Sequence, residues 1–448
     1  MIAPARTAAL HGLRAVTARR VDLPAALVQA RAHLTDDRDR ALATEIITGT
    51  LRWQRSLDFL IEHFAHRPVA KLDADVLTIV RLSLYQLLHL DRVPAAAVVD
   101  DAVDLTRGAK KQSASGFVNA VLRATLRGRH RLPFPPRPDD ASDLSAALAY
   151  LGVTHSHPGW LVSRWLDRHG LANTEKWVRF NNETPPLTIR ANRLRLTREQ
   201  LAAALAQEDI ETEPTPYAPD GLIVRSGNPL RLPPTGSFVV QDEASQMVPL
   251  VVDARPGSCV LDLCASPGGK TTAIAAAMSD RGLIVASDVR TRRLRTLAET
   301  VRAAGTQHVH VLQVPASGSL PFRPVFDRIL VDAPCSGLGT LRRDPDIRWR
   351  RTESELPEMS ARQLGLLQRA AAVLAPRGRL VYATCSSEPE ENESVVERFL
   401  EGAPDFSLVD LRGADPLLDP LVDGHGMLRT LPFAHGLEAF FAAALERP

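Results

Sequence analysis

Two cysteines stand where a sulfur nucleophile would be useful. Cys335 lies in "DRILVDAPCSGLG" (327–339) and Cys385 in "RLVYATCSSEPEEN" (379–392), each just past an apolar run that reads as a strand. If those strands are neighbours, ~4.8 Å apart, both sulfurs face one crevice. The chain has four cysteines in 448 residues, at 259, 264, 335 and 385, too few and too scattered for a disulfide framework. Zinc is not expected, because histidines are lacking near the pair and a metal site needs more ligands. A small buried hydrophobe is the plain alternative for each cysteine. Against it stand Pro334, Ser336, Gly337 and Gly339, which make the Cys335 segment a loop, where chemistry concentrates. Ser387 with Glu390 fits a capping box, which predicts Cys385 close before a helix N-terminus. That position lowers a thiol pKa, although Glu388, Glu390 and Glu391 oppose the effect.

A second constellation is "VLDLCASPGGKTTAIA" (260–275), a strand, a glycine turn and a helix start. Backbone at such a turn can approach a ligand, and the helix N-terminus favours anionic groups. It is not a P-loop: the glycine required five positions before Gly269 is Cys264. The dinucleotide fingerprint is absent too. The next strand ends at Asp288, about 20 residues past the glycines, where an acid can accept both hydroxyls of a ribose. A ribose-binding acid without a phosphate cradle suits a nucleoside cofactor such as S-adenosylmethionine. A tight turn in any Rossmann-like sheet is the alternative reading.

The elements that must hold these residues are legible from periodicity. "CVLDLC", "LIVASD", "VHVLQ", "RILVDA" and "RLVYATC" are near-continuous apolar strands alternating with helical stretches, which predicts a doubly wound parallel sheet over 236–448. Ligands of such sheets bind beyond the carboxyl ends of the strands. Residues 20–130 repeat apolar positions at three and four, which predicts a helical bundle. "RLPFPPRPDDASD" (131–143) reads as a linker, and 144–235 as a small α+β domain with strands at "PPLTIRANRL" and "GLIVRSG" and a helix ending at Gly170. A length of 448 residues agrees with several domains. No run is long and apolar enough to span a bilayer. The first twenty residues hold arginines but no apolar signal core, which argues against secretion, and being free of acids they could imitate a mitochondrial transit peptide; a bacterial cytosolic protein is the simpler reading.

Net charge is +2, so bulk charge does not argue for nucleic acid. Of 54 basic residues five are lysines (71, 110, 111, 176, 270), which leaves 49 arginines. Arginine pairs bidentately with phosphate and stacks on bases, so RNA is a candidate partner. A GC-rich genome, which favours arginine, alanine and proline codons, is the plainer account of the excess. "LRRDPDIRWRR" (341–351) adds Trp349 to Arg342, Arg343, Arg348 and two further arginines beside the Cys335 loop, a pattern suited to unpaired RNA, with a solvated charged loop as the alternative. "RGAKKQ", with Lys110 and Lys111, and "RGRHR" (127–131) flank the last helix of the bundle.

In chain order, "DLCASPGGKT", "DAPCSGLG", "RRDPDIRW" and "VYATCSSEPEEN" resemble the Sun (Fmu) family of RNA cytosine-5 methyltransferases. "QDEASQ" (241–246) is similar to the segment leading into that family's cofactor domain. "SGFVNAVLR" (115–123) resembles the NusB-like domain of its ribosomal, RsmB-type branch. The likeness covers roughly residues 20–448. It implies a multidomain protein: an all-α NusB-like bundle, a small α+β domain, and an α/β Rossmann-like methyltransferase domain. It also implies S-adenosylmethionine-dependent methylation of a cytosine in RNA, on 16S rRNA at cytosine 967 in the usual rRNA numbering, by a cytosolic enzyme expected to be a monomer.

By the same resemblance Cys385 is the nucleophile, Cys335 assists breakdown of the adduct, Asp332 contacts the ring nitrogen and Lys270 lies beside cofactor and cytosine. The cofactor set is Cys264, Ala265, Ser266, Pro267, Gly268, Gly269, Lys270, Asp288, Arg293 and Asp332; Arg293 reads equally as a solvated helix residue. A ring-contacting Asp332 needs a raised pKa, which a desolvated crevice supplies. One departure stands out: after the third strand the family usually carries an Asp near the adenine, and no acid occurs here between His310 and Phe326. A backbone carbonyl, Ser317 or Ser319 is left to meet the adenine, and weaker cofactor binding is expected. The same chemistry on tRNA, or a non-catalytic RNA-binding assembly factor that has kept the fold, are the alternatives.

Overall fold

The computed structural model describes residues 2–139 and 142–447. The chain divides into two units, Met1–Thr184 with Leu341–Glu353, and Pro185–Thr340 with Ser354–Pro448. Helices and strands are numbered below in chain order.

The first unit is helical. Its helices are α1 (Pro4–Thr17), α2 (Leu23–Ala32), α3 (Asp37–Arg52), α4 (Gln54–Ala65), α5 (Ala74–His89), α6 (Ala95–Gly108) and α7 (Ser115–Gly128). Three of them start on an aspartate whose carboxylate takes the orphan amides of the first turn: Asp22 for α2, Asp36 for α3 and Asp73 for α5. Such a cap contributes about 1 kcal/mol. The apolar stripes meet in one core that includes Leu10, Leu13, Ile46, Leu57, Ile79, Leu82, Val118 and Leu122. Helix α1 is part of that core, so the bundle begins at Pro4 and not near residue 20, and the acid-free N-terminal segment is an amphipathic core helix. Helices α8 (Leu144–Ala149), continued by one π turn (Tyr150–Thr154), and α9 (Gly159–Asn182) complete the unit, with the short α14 (Ile347–Arg350). Helix α9 is interrupted at Gly170, where φ is 71°, a conformation that favours glycine.

The expected linker 131–143 is not a free spacer where it is described. Leu132 and Phe134 pack on the helical core, and Phe134 stacks on Phe59 with ring centroids 6.1 Å apart. Residues 140 and 141 of that linker lie outside the described residues. The segment 144–235, expected as one domain, parts at 184/185: its helices up to Asn182 belong to the first unit, and its strands with the helix Arg198–Ala206 to the second.

In the second unit β1 (Leu187–Ala191), β2 (Thr212–Pro214), β3 (Gly221–Val224) and β4 (Phe238–Val240) form an antiparallel sheet in the order β2-β3-β1-β4, backed by α10 (Arg198–Ala206). After α11 (Glu243–Val252) comes the large sheet. Its strands are β5 (Cys259–Asp262), β6 (Leu283–Asp288), β7 (Val309–Gln313), β8 (Phe326–Asp332), β9 (Leu374–Thr384), β10 (Ser407–Val409), β11 (Leu428–Arg429) and β12 (Phe441–Glu446). The order is β10-β12-β9-β8-β5-β6-β7, with β11 beside β12. Strands β5 to β9 are parallel; β12 runs antiparallel to β9 and extends the sheet on that side. Helices α12 (Gly269–Ala277), α13 (Thr291–Ala304), α15 (Leu356–Ala371) and α16 (Glu393–Gly402) belong to this domain. The central strands are buried on both faces, which is why their sequence is near-continuously apolar: Leu261 and Val260 on β5, Ile329 and Leu330 on β8, Leu380 and Val381 on β9 are all fully buried. The chain runs from β5 outward through β6 and β7 and then crosses back to β8 on the other side of β5, so the topological switch point lies at the ends of β5 and β8.

Candidate active site

Strands β8 and β9 are direct neighbours, with Asp332 opposite Ala383. Their carboxyl ends bring the Cys335 and Cys385 sulfurs to 3.2 Å. The loop after β8 is held against the end of β9 by backbone: the Gly339 amide donates to the Cys385 carbonyl at 2.9 Å, and the Gly339 carbonyl accepts from Ala439 at 3.0 Å. Only glycine fits there, since a Cβ would stand 2.0 Å from the Ala439 oxygen.

Beneath the sulfurs lies a buried polar web around Glu391. Its Oε1 accepts from the Ser336 amide (2.8 Å) and from Gln363 Nε2 (2.9 Å); its Oε2 accepts from the Ser336 and Ser386 hydroxyls, both at 2.5 Å. Gln363 also donates to the Pro334 carbonyl at 3.1 Å, and the Tyr382 hydroxyl donates to the Glu391 carbonyl at 2.5 Å. Sequence reasoning counted Glu391 only as a charge opposing the thiolate. The density of acids after Cys385 was the available signal; Gln363, on a distant helix, had none.

The capping-box expectation is corrected. Pro389–Glu391 forms a single 3-10 turn, and α16 begins at Glu393 after Asn392, while the Ser387 hydroxyl donates to Glu388. Cys385 therefore does not stand at a helix N-terminus. Its setting comes from Cys335 instead. The hydrogen bond to Cys385, then burial and the charges of Cys385 and Glu391, push the Cys335 thiol well above the ordinary range.

Lys270, the first-turn residue of α12, reaches Asp332 at 2.7 Å, and its ammonium lies 5.6 Å from the Phe440 ring centroid. Burial alone would lower the lysine; the Asp332 carboxylate, with Cys385 and Asp262 behind it, outweighs burial and holds the ammonium above its usual value. Asp262 at the end of β5 is fully buried and accepts from Thr271 at 2.6 Å. Burial pushes it up to about 7, with the Thr271 hydrogen bond and Lys270 acting against it. The Cys264 thiol is pushed up by burial and by the carboxylates of Asp332, Asp262 and Asp288, so it is an inert member of the glycine loop.

That loop, Cys264–Lys270, runs from β5 into α12. Gly268 takes φ 107° and packs so closely on α13 that a Cβ would stand 3.0 Å from Leu297. The Ala265 amide donates to Ser287 and the Ser266 hydroxyl to the Arg293 carbonyl, which ties the loop to β6 and α13. Arg190 of β1 donates to the Gly269 carbonyl (3.0 Å) and to Thr272 (2.8 Å), a support that sequence reasoning missed because the arginine is 79 residues away. Asp288 ends β6, buried; its Oδ1 accepts from the Arg290 amide, while its Oδ2 receives no hydrogen bond, with the Arg293 guanidinium at 3.5 Å. In the loop after β7 the carbonyls of Pro315, Ala316 and Gly318 already accept from Arg369.

The basic segment 341–351 is not the open stacking platform expected from its composition. Arg348 is 1% exposed, and its guanidinium donates to the carbonyls of Arg52, Ser156, Asn181 and Leu341 and to Asn182. Helices α3 and α9 end with carbonyls that have no partner within the helix, and this arginine satisfies them. Trp349 donates its indole N–H to Leu51 at 2.6 Å. The Arg342 guanidinium lies 4.3 Å from the Phe180 ring centroid and donates to Thr184. Arg343 is half-buried. Arg348, Trp349 and Arg342 are thus structural in the helical unit. Lys111 pairs with Asp73 at 2.6 Å, and Lys110 is exposed.

Comparison with known proteins gives three family matches in this chain: residues 249–446 match "16S rRNA methyltransferase RsmB/F", 3–127 match the "NusB family", and 157–231 match the "Methyltr_RsmF/B-like, ferredoxin-like domain". A probable ribosomal RNA small subunit methyltransferase B of Synechocystis is 36% identical, covering 91% of each chain. A probable ribosomal RNA small subunit methyltransferase B of Bacillus subtilis is 32% identical, covering 92% of this chain and 91% of its own. Among solved structures, PH0851 superposes with a TM-score of 0.81 at 27% identity, over 100% of this chain and 99% of that one.

Proposed function

Because the chain belongs to the RsmB/F family of 16S rRNA methyltransferases, we propose that it methylates the 5-carbon of a cytosine in small-subunit rRNA, cytosine 967 in the usual rRNA numbering, through a covalent adduct on Cys385. The observation that carries this reading is the pair of sulfurs 3.2 Å apart at two adjacent strand ends, beside the Lys270–Asp332 ion pair.

The 5-carbon of cytosine is a poor nucleophile, and a thiolate adding at the 6-carbon turns the ring into an enamine. Cys385 supplies that electron pair while Cys335 keeps the proton of the dyad. The charge that gathers at the ring nitrogen takes a proton from Lys270, passed through Asp332 across their 2.7 Å contact. Asp332 thus serves as the relay between the lysine and the ring. Asp288 fits a ribose, since its buried Oδ2 lacks a donor and a sugar hydroxyl provides one. The backbone of Cys264–Lys270, with Arg293 beside Asp288, completes the set that would hold S-adenosylmethionine. That cofactor, when bound, supplies the electrophilic methyl group.

Breakdown of the adduct requires the C5–H bond to open, its electrons to restore the ring double bond, and the C6–S pair to return to Cys385. Cys335 takes the C5 proton as its own proton crosses to the departing sulfur, and the ring-nitrogen proton returns to Lys270. Both cysteines end as thiols, so one proton leaves per turnover. A base reacting in this way is flipped or unpaired. Lys110, Lys111 and the exposed arginines 127, 129 and 131 are proposed to hold the RNA backbone on the helical unit.

The test uses Cys335→Ala protein with S-adenosylmethionine and unmodified small-subunit rRNA on a denaturing gel. A slow-migrating protein–RNA adduct that vanishes when Cys385 is also replaced is the expected result. No adduct, together with no methyl transfer by the wild type to rRNA or tRNA, would leave a non-catalytic RNA-binding protein.

A further inference from the structure

We propose that Glu391 is a positioning residue for both cysteines, a shared carboxylate strut that sets the Cys335–Cys385 separation by holding the residue after each of them. The inference rests on the two-cysteine reading above. Ser336 follows Cys335 and Ser386 follows Cys385, and both are hydrogen-bonded to the same carboxylate. Gln363 of α15 anchors that carboxylate from behind and grips Pro334, the residue before Cys335. The four donors (two hydroxyls, one backbone amide, one side-chain amide) fill the acceptor sites a carboxylate offers. Glu391 is fully buried, and no basic side chain among the described residues pairs with it. A buried anion supported by dipoles alone is costly to maintain, so its place against the residues that follow two reactive thiols calls for a gain in geometry.

The strut has a second effect through its charge. Around the thiol pair the titratable and charged groups are Glu391 and Tyr382, which interact with Cys335, and Lys270, which interacts with Cys385 and pairs with Asp332. The hydrogen bond to Cys385 pushes the Cys335 thiol up and the Glu391 carboxylate adds to that push, while Lys270 pairs with Asp332 at 2.7 Å.

Glu391→Gln separates geometry from charge. The amide oxygen can keep Ser336 N–H and Gln363, and the amide nitrogen can donate to the two hydroxyls once they rotate. Glu391→Ala removes both, and a misplacement of about 1 Å costs on the order of 100-fold in rate. The expected results are a loss of about 100-fold in kcat for Glu391→Ala with the S-adenosylmethionine Kd unchanged, and less than about tenfold for Glu391→Gln. Ser386→Ala, which leaves the other donors in place, should fall between them and serves if Glu391→Ala does not fold. Independently of RNA and of methylation, iodoacetamide alkylation of Cys335 should move to lower pH in Glu391→Gln. A folded Glu391→Ala or Ser386→Ala protein with wild-type kcat, or an unchanged alkylation profile in Glu391→Gln, would overturn the proposal. If the wild type transfers no methyl group but the alkylation profile shifts, the strut stands and the methyltransferase reading falls.

Discussion

Gly339 is a tight point of the loop after β8, and replacing it with alanine tests whether backbone packing sets the distance between the cysteines. A Cβ there would lie 2.0 Å from the Ala439 oxygen, 2.8 Å from the Cys385 oxygen and 2.9 Å from the Ala439 carbonyl carbon. All three are backbone atoms at the ends of β9 and β12, both inside the large sheet, so no side chain can turn aside. Relief therefore requires the loop to move by about 1 Å. Overpacking costs about 1–3 kcal/mol, and the two backbone hydrogen bonds of Gly339 are worth about 1 kcal/mol each. The sum, about 3–5 kcal/mol, corresponds to a fall of roughly 6–20 °C in Tm for a unit of this size. Since the shift lands on Cys335 and on the carbonyl of Cys385, single-turnover methyl transfer should fall on the order of 100-fold. Gly365, inside α15 with nothing within 4 Å of its would-be Cβ, is the control: Gly365→Ala should gain about 0.5–1 kcal/mol. Differential scanning calorimetry and a radiolabelled methyl assay read both variants. A Gly339→Ala protein with wild-type Tm and wild-type single-turnover rate would refute the packing account.

Asp288→Ala should weaken S-adenosylmethionine binding by at least about tenfold, the scale of a charged hydrogen bond, and an unchanged calorimetric Kd would remove Asp288 from the cofactor site. Asp262 gives a pH test. Burial raises its folded pKa to about 7, so the stability it contributes is full below the unfolded value near 4 and is lost as pH rises through 7. Asp262→Asn should thus gain stability relative to wild type between pH 5 and pH 8, by up to a few kcal/mol; an identical Tm difference at both ends would sink the assignment. Ala316→Asp, which restores an acid after β7 in an exposed loop, should raise cofactor affinity several-fold, since one new hydrogen bond is worth about 1 kcal/mol. An affinity that stays within error of wild type would show that the missing acid does not limit binding.

The five parallel strands were legible because each is covered on both faces and had to be apolar along its whole length, as Val260–Leu261 and Leu380–Val381 illustrate. Helices of the first unit were legible through their stripes. The α1 stripe was passed over because its arginines suggested targeting, yet Leu10, Leu13 and Val16 are core. Strands β2 and β4, three residues each, were too short to show a period, and they exist by pairing with β3 and β1.

By itself the sequence determined which residues end up at strand ends: Asp262 and the glycine loop after β5, Asp288 on β6, Asp332 and Cys335 after β8, Cys385 after β9. Local periodicity encodes that much, since a strand must stop where its apolar run gives way to turn residues. Only the tertiary structure decided that Cys335 and Cys385 lie 3.2 Å apart, that one buried Glu391 serves both loops, and that Arg348 faces inward. Composition shows that a residue is charged and not whether the chain will cover it. Arg348 is buried because helix ends 167 and 296 residues away in sequence leave carbonyls that need donors. Hydrogen-bond satisfaction is required of the whole fold, and no local window contains both partners.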